Sequence, residues 1–347
     1  MTITSFDLCL KNGQAMIKDN LVQTNIYIKD EKIISITDKS LESKETIDCK
    51  NLIILPGVID SQVHFREPGL EGKETLESGM LSAVAGGVTS IFEMPNTNPL
   101  TITPETIEDK LMRASKGAWS DYAFYLGGTM RTSPNLSEWE NLKGVCGIKI
   151  FMGASTGDLM TATDEEVESV VSNGRRVIAV HAEDQMIMME NMKNILGDSN
   201  DVAMHCKWRS PESCLSATTR VVNLARKHKR RVHILHITTS DEMEFLSKNK
   251  DVASVELLAN HLTLHAPDCY ERLGTLAQQN PPIREKKHQD ALWDALNNKI
   301  VDIIASDHAP HTLEEKSAKY PKSPSGTPGV QTLVPVMLNH VNNKKLS

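Results

Sequence analysis

The apolar positions of this chain fall into two regimes. Over the first fifty residues they come in short β-prone runs, Phe6-Asp7-Leu8-Cys9-Leu10, Thr24-Asn25-Ile26-Tyr27-Ile28 and Lys32-Ile33-Ile34-Ser35-Ile36. Turn signals part them at Asn12-Gly13, Asp19-Asn20 and Asp30-Glu31. The pattern predicts a small antiparallel sheet subdomain over residues 1–52, too thin to stand alone and expected to pack on the main body. After Pro56-Gly57 the runs become near-continuously apolar, at 58–65, 88–94, 122–126, 147–152, 177–181, 232–237, 253–259 and 301–305. Such runs read as parallel strands covered on both faces. Helix signals lie between them. Thr103-Pro104 caps a helix over 105–116, and Thr163-Asp164-Glu165-Glu166 is a capping box opening one over 164–172 that stops at Asn173-Gly174. Ser210-Pro211-Glu212 starts a helix reaching His228, and 288–296 is another. This alternation predicts an α/β chain with a TIM (β/α)8 barrel over 53–347. A doubly wound sheet would ask for a glycine-rich turn after its first strand, and Asp60-Ser61-Gln62-Val63-His64 is not one.

Composition narrows the class. A chain of 347 residues can bury a large core. Its net charge of −7, with no basic stretch interleaved with aromatics, argues against nucleic acid as a partner. No run reaches membrane-spanning length and no signal segment opens the chain, so a cytoplasmic protein without a membrane partner is expected. The six cysteines lack Cys-x-x-Cys spacing, which suits buried thiols and not a disulfide framework. The twelve histidines say more.

In a barrel of this kind chemistry sits at the carboxyl ends of the strands. The residues there are His64, Asn96, Lys149, His181, His236 and Asp307, the last in Ser306-Asp307-His308-Ala309-Pro310-His311-Thr312. Taken singly, a histidine ending an apolar strand is equally a hydrogen-bonded core residue, and Asp307 equally a turn cap. Taken together, His64, His181, His236 and Asp307 aim into one mouth, and imidazole with carboxylate suits zinc. His205, His228, His265, His288 and His340 are expected at the surface. His233 is expected to point away from His236 and to serve packing. Lys149 stands between Ile148 and Ile150, facing the barrel interior, where a bare ammonium is disfavoured. A neutral amine there could take up CO2 as a carbamate bridging two metals; the plain alternative is a lysine reaching the rim. Arg66, two residues past His64, aims at the same mouth, and its forked guanidinium fits an anionic substrate. Asn96 and Asn280 are loop asparagines, which are most often turn formers. The loop Ser323–Gly329 follows the eighth strand on the same face.

The segments Leu55-Pro56-Gly57-Val58-Ile59-Asp60, His64-Phe65-Arg66-Glu67-Pro68-Gly69, Glu93-Met94-Pro95-Asn96-Thr97, Gly147-Ile148-Lys149, His181-Ala182-Glu183, His233-Ile234-Leu235-His236 and Ser306–Thr312, in this order, resemble the dihydroorotases of the amidohydrolase superfamily. The resemblance implies that His64, His181, His236, Asp307 and a carbamylated Lys149 hold two zinc ions. It also implies that Arg66, Asn96, Asn280 and His311 contact a carboxylate-bearing small-molecule substrate, that Pro328 lines its pocket, and that Asp307 shuttles the catalytic proton. The implied reaction interconverts N-carbamoyl-L-aspartate and L-dihydroorotate in pyrimidine biosynthesis, and a homodimer is implied as well. Related dihydropyrimidinase-like and allantoinase-like enzymes act on rings without this carboxylate, and arginine is not expected there at the position of Arg66. The chain departs from the family pattern at Gln62, where His-x-His is usual on the first strand. It also stops at Lys345-Leu346-Ser347, where relatives continue and complete the small sheet. Both departures leave open a barrel that has lost its chemistry and serves as a scaffold.

Overall fold

In the computed structural model, residues 5–153 and 159–347 are described. The chain divides into two compact units, Met1–Gly57 and Val58–Ser347. The first is a five-stranded sheet of β1 (Phe6–Ile17), β2 (Asn20–Lys29), β3 (Lys32–Thr37), β4 (Ser43–Asp48) and β5 (Ile53–Ile54). It is mixed, which corrects the antiparallel expectation. β2 pairs antiparallel with β1 and β3, while β4 and β5 lie parallel to successive halves of β1. The pattern passed over β4 because Ser43-Lys44-Glu45-Thr46-Ile47-Asp48 is almost wholly exposed and has no alternation to detect. Asn12-Gly13 is likewise no hairpin turn. It is a bulge inside β1, with Asn12 at φ 64°, and a Cβ on Gly13 would lie 2.5 Å from Ile54 Cδ1.

The second unit is the barrel. Its strands are β6 (Val58–Val63), β7 (Val88–Glu93), β8 (Asp121–Gly127), β9 (Val145–Phe151), β10 (Ile178–His181), β11 (Val232–Ile234), β12 (Ala253–Leu258) and β13 (Ile303–Ala305). They form one sheet in sequence order, all parallel. The ends of the sheet meet through a bridge between Val63 and His308, where His64 N donates to His308 O at 2.6 Å. The barrel is therefore nearly closed. Helices follow the strands, and those read from the sequence lie where expected: Pro104–Ala114, Asp164–Val171, Pro211–Lys227 and Lys286–Asn297. Thr103, Thr163 and Ser210 cap the first three with side-chain hydrogen bonds. Among the described residues no helix is long and apolar enough to cross a membrane.

The two faces of the strands do different work. Ile148, Ile150, Ile178, Val180, Val232, Ile234, Val255 and Leu257 join the apolar layer beneath the helices. Alternate residues face inward. Near the barrel floor they form a small plug of Met94, Tyr125, Ala179 and Leu235. Above and beside the plug the inward positions are polar, and this turns the rim into a site.

Two rim loops are locked together by Gly69. Its φ is 90°, Asn98 N donates to Pro68 O at 3.0 Å, and a Cβ on Gly69 would stand 2.0 Å from the Asn98 carbonyl oxygen. Gly69→Ala is expected to destabilise the fold by about 2 kcal/mol through left-handed strain and the backbone clash. Urea unfolding checks this as a lowered midpoint with unchanged slope; an unmoved midpoint would show that the loops part freely.

Candidate functional site

A cavity of about 270 Å³ opens at the carboxyl ends of the strands. His64, Lys149, His181, His236 and Asp307 line it, as do Arg66, Asn96, Asn280 and His311. Gln62, Lys73 and Ser325 line it as well. Pro328 does not. It lines an adjacent cavity of about 330 Å³ that shares His311 and Gly326 with the first.

Local structure explains how each group arrives. Val63 belongs to the apolar layer, so Gln62 and His64 on either side of it turn inward. Lys149 is inward between Ile148 and Ile150, and His181 follows outward Val180. His236 follows a different rule. Ile234 is outward and Leu235 inward, so strict alternation would send His236 out. Its backbone is left-handed, φ 42°, and its N–H donates to Glu256 Oε1 at 3.3 Å, which turns the ring into the cavity. Asp307 is left-handed too, φ 49°. For non-glycine residues this is a costly conformation that collects at functional sites. The same break corrects the expectation for His233, which also faces inward. It lies below, between Ser254 Oγ at 2.9 Å and Glu256 Oε2 at 3.2 Å, and it does not line the cavity.

The acceptor oxygens beside the rings assign their protons. His64 Nδ1–H donates to Asn96 Oδ1 at 2.7 Å. Its Nε2 lone pair then faces Asp307 Oδ1 at 3.1 Å, and burial holds the imidazole below its usual pKa despite that carboxylate. His181 Nε2–H donates to Glu183 Oε2 at 2.8 Å, so its Nδ1 accepts from His236 Nε2–H at 3.0 Å. Burial lowers His181, and burial with the neighbouring His181 and Lys149 pushes His236 well down. Burial alone would raise Glu183, but Arg209 and His181 outweigh it and keep the carboxylate ionised. Gln62 Nε2 donates to Asp307 Oδ1 at 3.0 Å.

Among the described residues three buried polar atoms here have no partner: Lys149 Nζ, His236 Nδ1 and Gln62 Oε1. Burial lowers Lys149 to about 7, against the pull of Asp307 and Glu256, and its amine sits 4.4 Å from the Phe151 ring centroid. An unpartnered imidazole nitrogen and an unpartnered amine beside His64, His181 and Asp307 are the donor chemistry of a cation site. Among the described residues no three His, Cys, Asp or Glu side chains gather closely enough to hold one ion as they stand. The donors form two pairs, His64–Asp307 and His181–His236.

In the same cavity Arg66 is buried, with Nε donating to Pro310 O at 2.9 Å. Lys73 Nζ donates to His311 Nδ1 at 3.1 Å, and His311 Nε2–H donates to Ser325 O at 3.1 Å. Burial, with Arg66 and Lys73 adding to it, lowers His311 to about 4. These three residues thus bring two cations and a neutral imidazole. Sequence reasoning missed Lys73, whose only signal is its place in the loop after β6. It also missed Glu183 as the partner of His181, although the two-residue spacing in His181-Ala182-Glu183 could have found it. His205, His288 and His340, expected at the surface, are buried. Each finds a partner across elements, in Asn280, Ser240 and Thr263, and chain position does not reveal such pairings.

Residues 53–340 match the model of the amidohydrolase family. The chain is 35% identical over 334 residues to a dihydroorotase of Thermococcus kodakarensis, covering 95% of this chain and 74% of that protein. It is 33% identical to a dihydroorotase of Methanosphaera stadtmanae, covering 98% and 78%. Among solved structures it superposes on an L-hydantoinase (dihydropyrimidinase) from Arthrobacter aurescens with a TM-score of 0.93 at 29% identity, covering 99% of this chain and 79% of that one.

Lys149 gives the site a stability signature. Its folded pKa of about 7 lies below the ordinary lysine value of 10.5, so between these the unfolded chain holds the extra proton. Stability of metal-stripped protein should therefore rise with pH through that window, by at most about 1.4 kcal/mol per pH unit. Lys149→Met should be more stable near pH 7 and lose the slope. Chelated protein unfolded in urea at several pH values tests this; equal slopes in both proteins would mean the amine is charged when folded.

Proposed function

The chain belongs to the amidohydrolase family and is a hydrolase of cyclic amides, and we propose that its reaction is the interconversion of L-dihydroorotate and N-carbamoyl-L-aspartate in pyrimidine biosynthesis. The observation that carries this reading is Arg66. A buried guanidinium shares one cavity with the paired donors His64–Asp307 and His181–His236. It is useful to a ring substrate only if that ring bears an anion.

In this reading His64, His181, His236 and Asp307, with Lys149 as a carbamate formed from CO2, would hold the zinc. Once bound, zinc supplies Lewis acidity toward the ring carbonyl and activates water near neutral pH. The protein does the rest. Arg66 and Asn96 clamp the carboxylate outside the ring, and Asn280 and His311 complete its contacts. Asp307 takes the proton of the attacking water and delivers it to the ring nitrogen as the carbon–nitrogen bond breaks. The product is a ureido acid with a new carboxylate. In the reverse direction the same carboxyl returns the proton to the departing oxygen. Gln62, bonded to Asp307 through Nε2 with Oε1 unpartnered, stands at the site usual for histidine and offers an amide oxygen in its place.

The backbone likeness to a dihydropyrimidinase favours a second reading, hydrolysis of an uncharged ring. The two differ in substrate charge, so Arg66 separates them. Arg66→Ala is expected to lower kcat/KM for dihydroorotate by about a hundredfold or more, with zinc content unchanged. Assays of the unaltered protein on dihydroorotate, dihydrouracil and hydantoin should give turnover on the first alone. Preference for dihydrouracil or hydantoin would transfer the chain to the second reading. A protein that holds no zinc and turns over none of the three would be a scaffold.

A further inference from the structure

Asn280 sits in a loop between the 3-10 turn Gly274–Ala277 and the helix Lys286–Asn297, where no ladder fixes a side chain. It is nevertheless held. Its Oδ1 lies 2.9 Å from Nε2 of His205, which also reaches the Gln279 carbonyl oxygen at 3.1 Å. Both partners are acceptors, so Nε2 must carry the proton. Nδ1 is then the lone pair, and it accepts from Tyr320 Oη at 3.2 Å. Tyr320 Oη in turn accepts from Trp208 Nε1, a donor with no other role, at 2.6 Å. The bonds run in one direction, from indole to phenol to imidazole to amide. His205 is buried and packs edge-on against both Trp208 and Tyr320. Burial, with Arg209 nearby, lowers its pKa to about 3, which keeps the ring neutral.

We infer that His205 is a positioning residue for the substrate, its tautomer set by Trp208 and Tyr320, and that it holds Asn280 so that the amide nitrogen, not the oxygen, faces the cavity. The inference rests on the proposed reaction and deepens it. With Oδ1 engaged by His205, Asn280 offers only N–H donors to what binds there, and donors suit the oxygens of a ring carbonyl or a carboxylate. A free asparagine could flip and present an acceptor to those same oxygens. The short helix His205–Trp208 and the residue after it thereby serve both halves of the site. His205 orients the amide, while Arg209 holds Glu183, which orients His181.

The first test reads the tautomer directly in the unaltered zinc enzyme. Nitrogen NMR of labelled histidine, with His205 assigned by comparison with His205→Gln, should show a neutral ring protonated at Nε2. Protonation at Nδ1 would overturn the inference whatever the activity. The second test is kinetic. His205→Leu should raise KM for dihydroorotate about tenfold with kcat little changed, and His205→Gln, which keeps a donor near Nε2, should recover most of the loss. Asn280→Ala should raise KM similarly, and the double variant should be no worse than either single one. Additive effects, or a fall in kcat with no change in KM, would reduce His205 to a packing residue. Absence of dihydroorotate turnover in the unaltered enzyme would instead remove the reaction, while the NMR result would still stand or fall alone.

Discussion

Lys149 stands wholly buried with no hydrogen-bond partner for its amine among the described residues, on a strand whose other face is committed to the apolar layer. Desolvation favours the neutral form and brings the amine down to about 7, so its free-base form is within reach near neutral pH. The constraint spreads outward from there. Around the amine, His64 and His181 turn lone pairs inward because their other nitrogens are tied to Asn96 and Glu183. Among the described residues His236 Nδ1 and Lys149 Nζ are left without partners, and such nitrogens suit a cation.

Beneath this layer lies a second one that fixes its geometry. Glu256 is fully buried and accepts from Ser61 Oγ, His233 Nε2 and the His236 backbone N–H. Asp60, also fully buried, accepts from the backbone of Gln62 and Ser306. These carboxylates bind the backbone at the points where the first, sixth and eighth barrel strands deliver their donors. They help hold His236 in its left-handed conformation and steady Ser306, the residue before left-handed Asp307. The strain at the two residues is thus met by hydrogen bonds from beneath.

The backbone follows a hydantoinase closely, while curated relatives, of which this chain covers 74% and 78%, are named dihydroorotases. A barrel with paired donors at its mouth serves either chemistry. Arg66, Lys73 and His311 bear on the proposed distinction, because an anionic ring substituent suits their charge, although Lys73 also pairs with Glu315 Oε1 at 2.9 Å.

Much of this was legible in the chain. Long apolar runs reveal buried parallel strands because both faces are covered, and the strand-end donors could be named because barrel topology makes strand ends converge. The small sheet was read less well, since Ser43–Asp48 is exposed and carries no periodic signal. His236 and His233 show the limit inside the barrel. Period two places them on opposite faces, yet one left-handed residue puts both on the inside. The sequence alone determined the architecture, the donor types and the presence of an arginine beside them, because these follow from local periodicity and side-chain chemistry. Tertiary structure alone decided which nitrogen faces which oxygen, that His205 is buried behind Asn280, and that Lys149 has no counter-charge in contact. Those outcomes depend on contacts between segments far apart in the chain, and no local pattern encodes the distance between them.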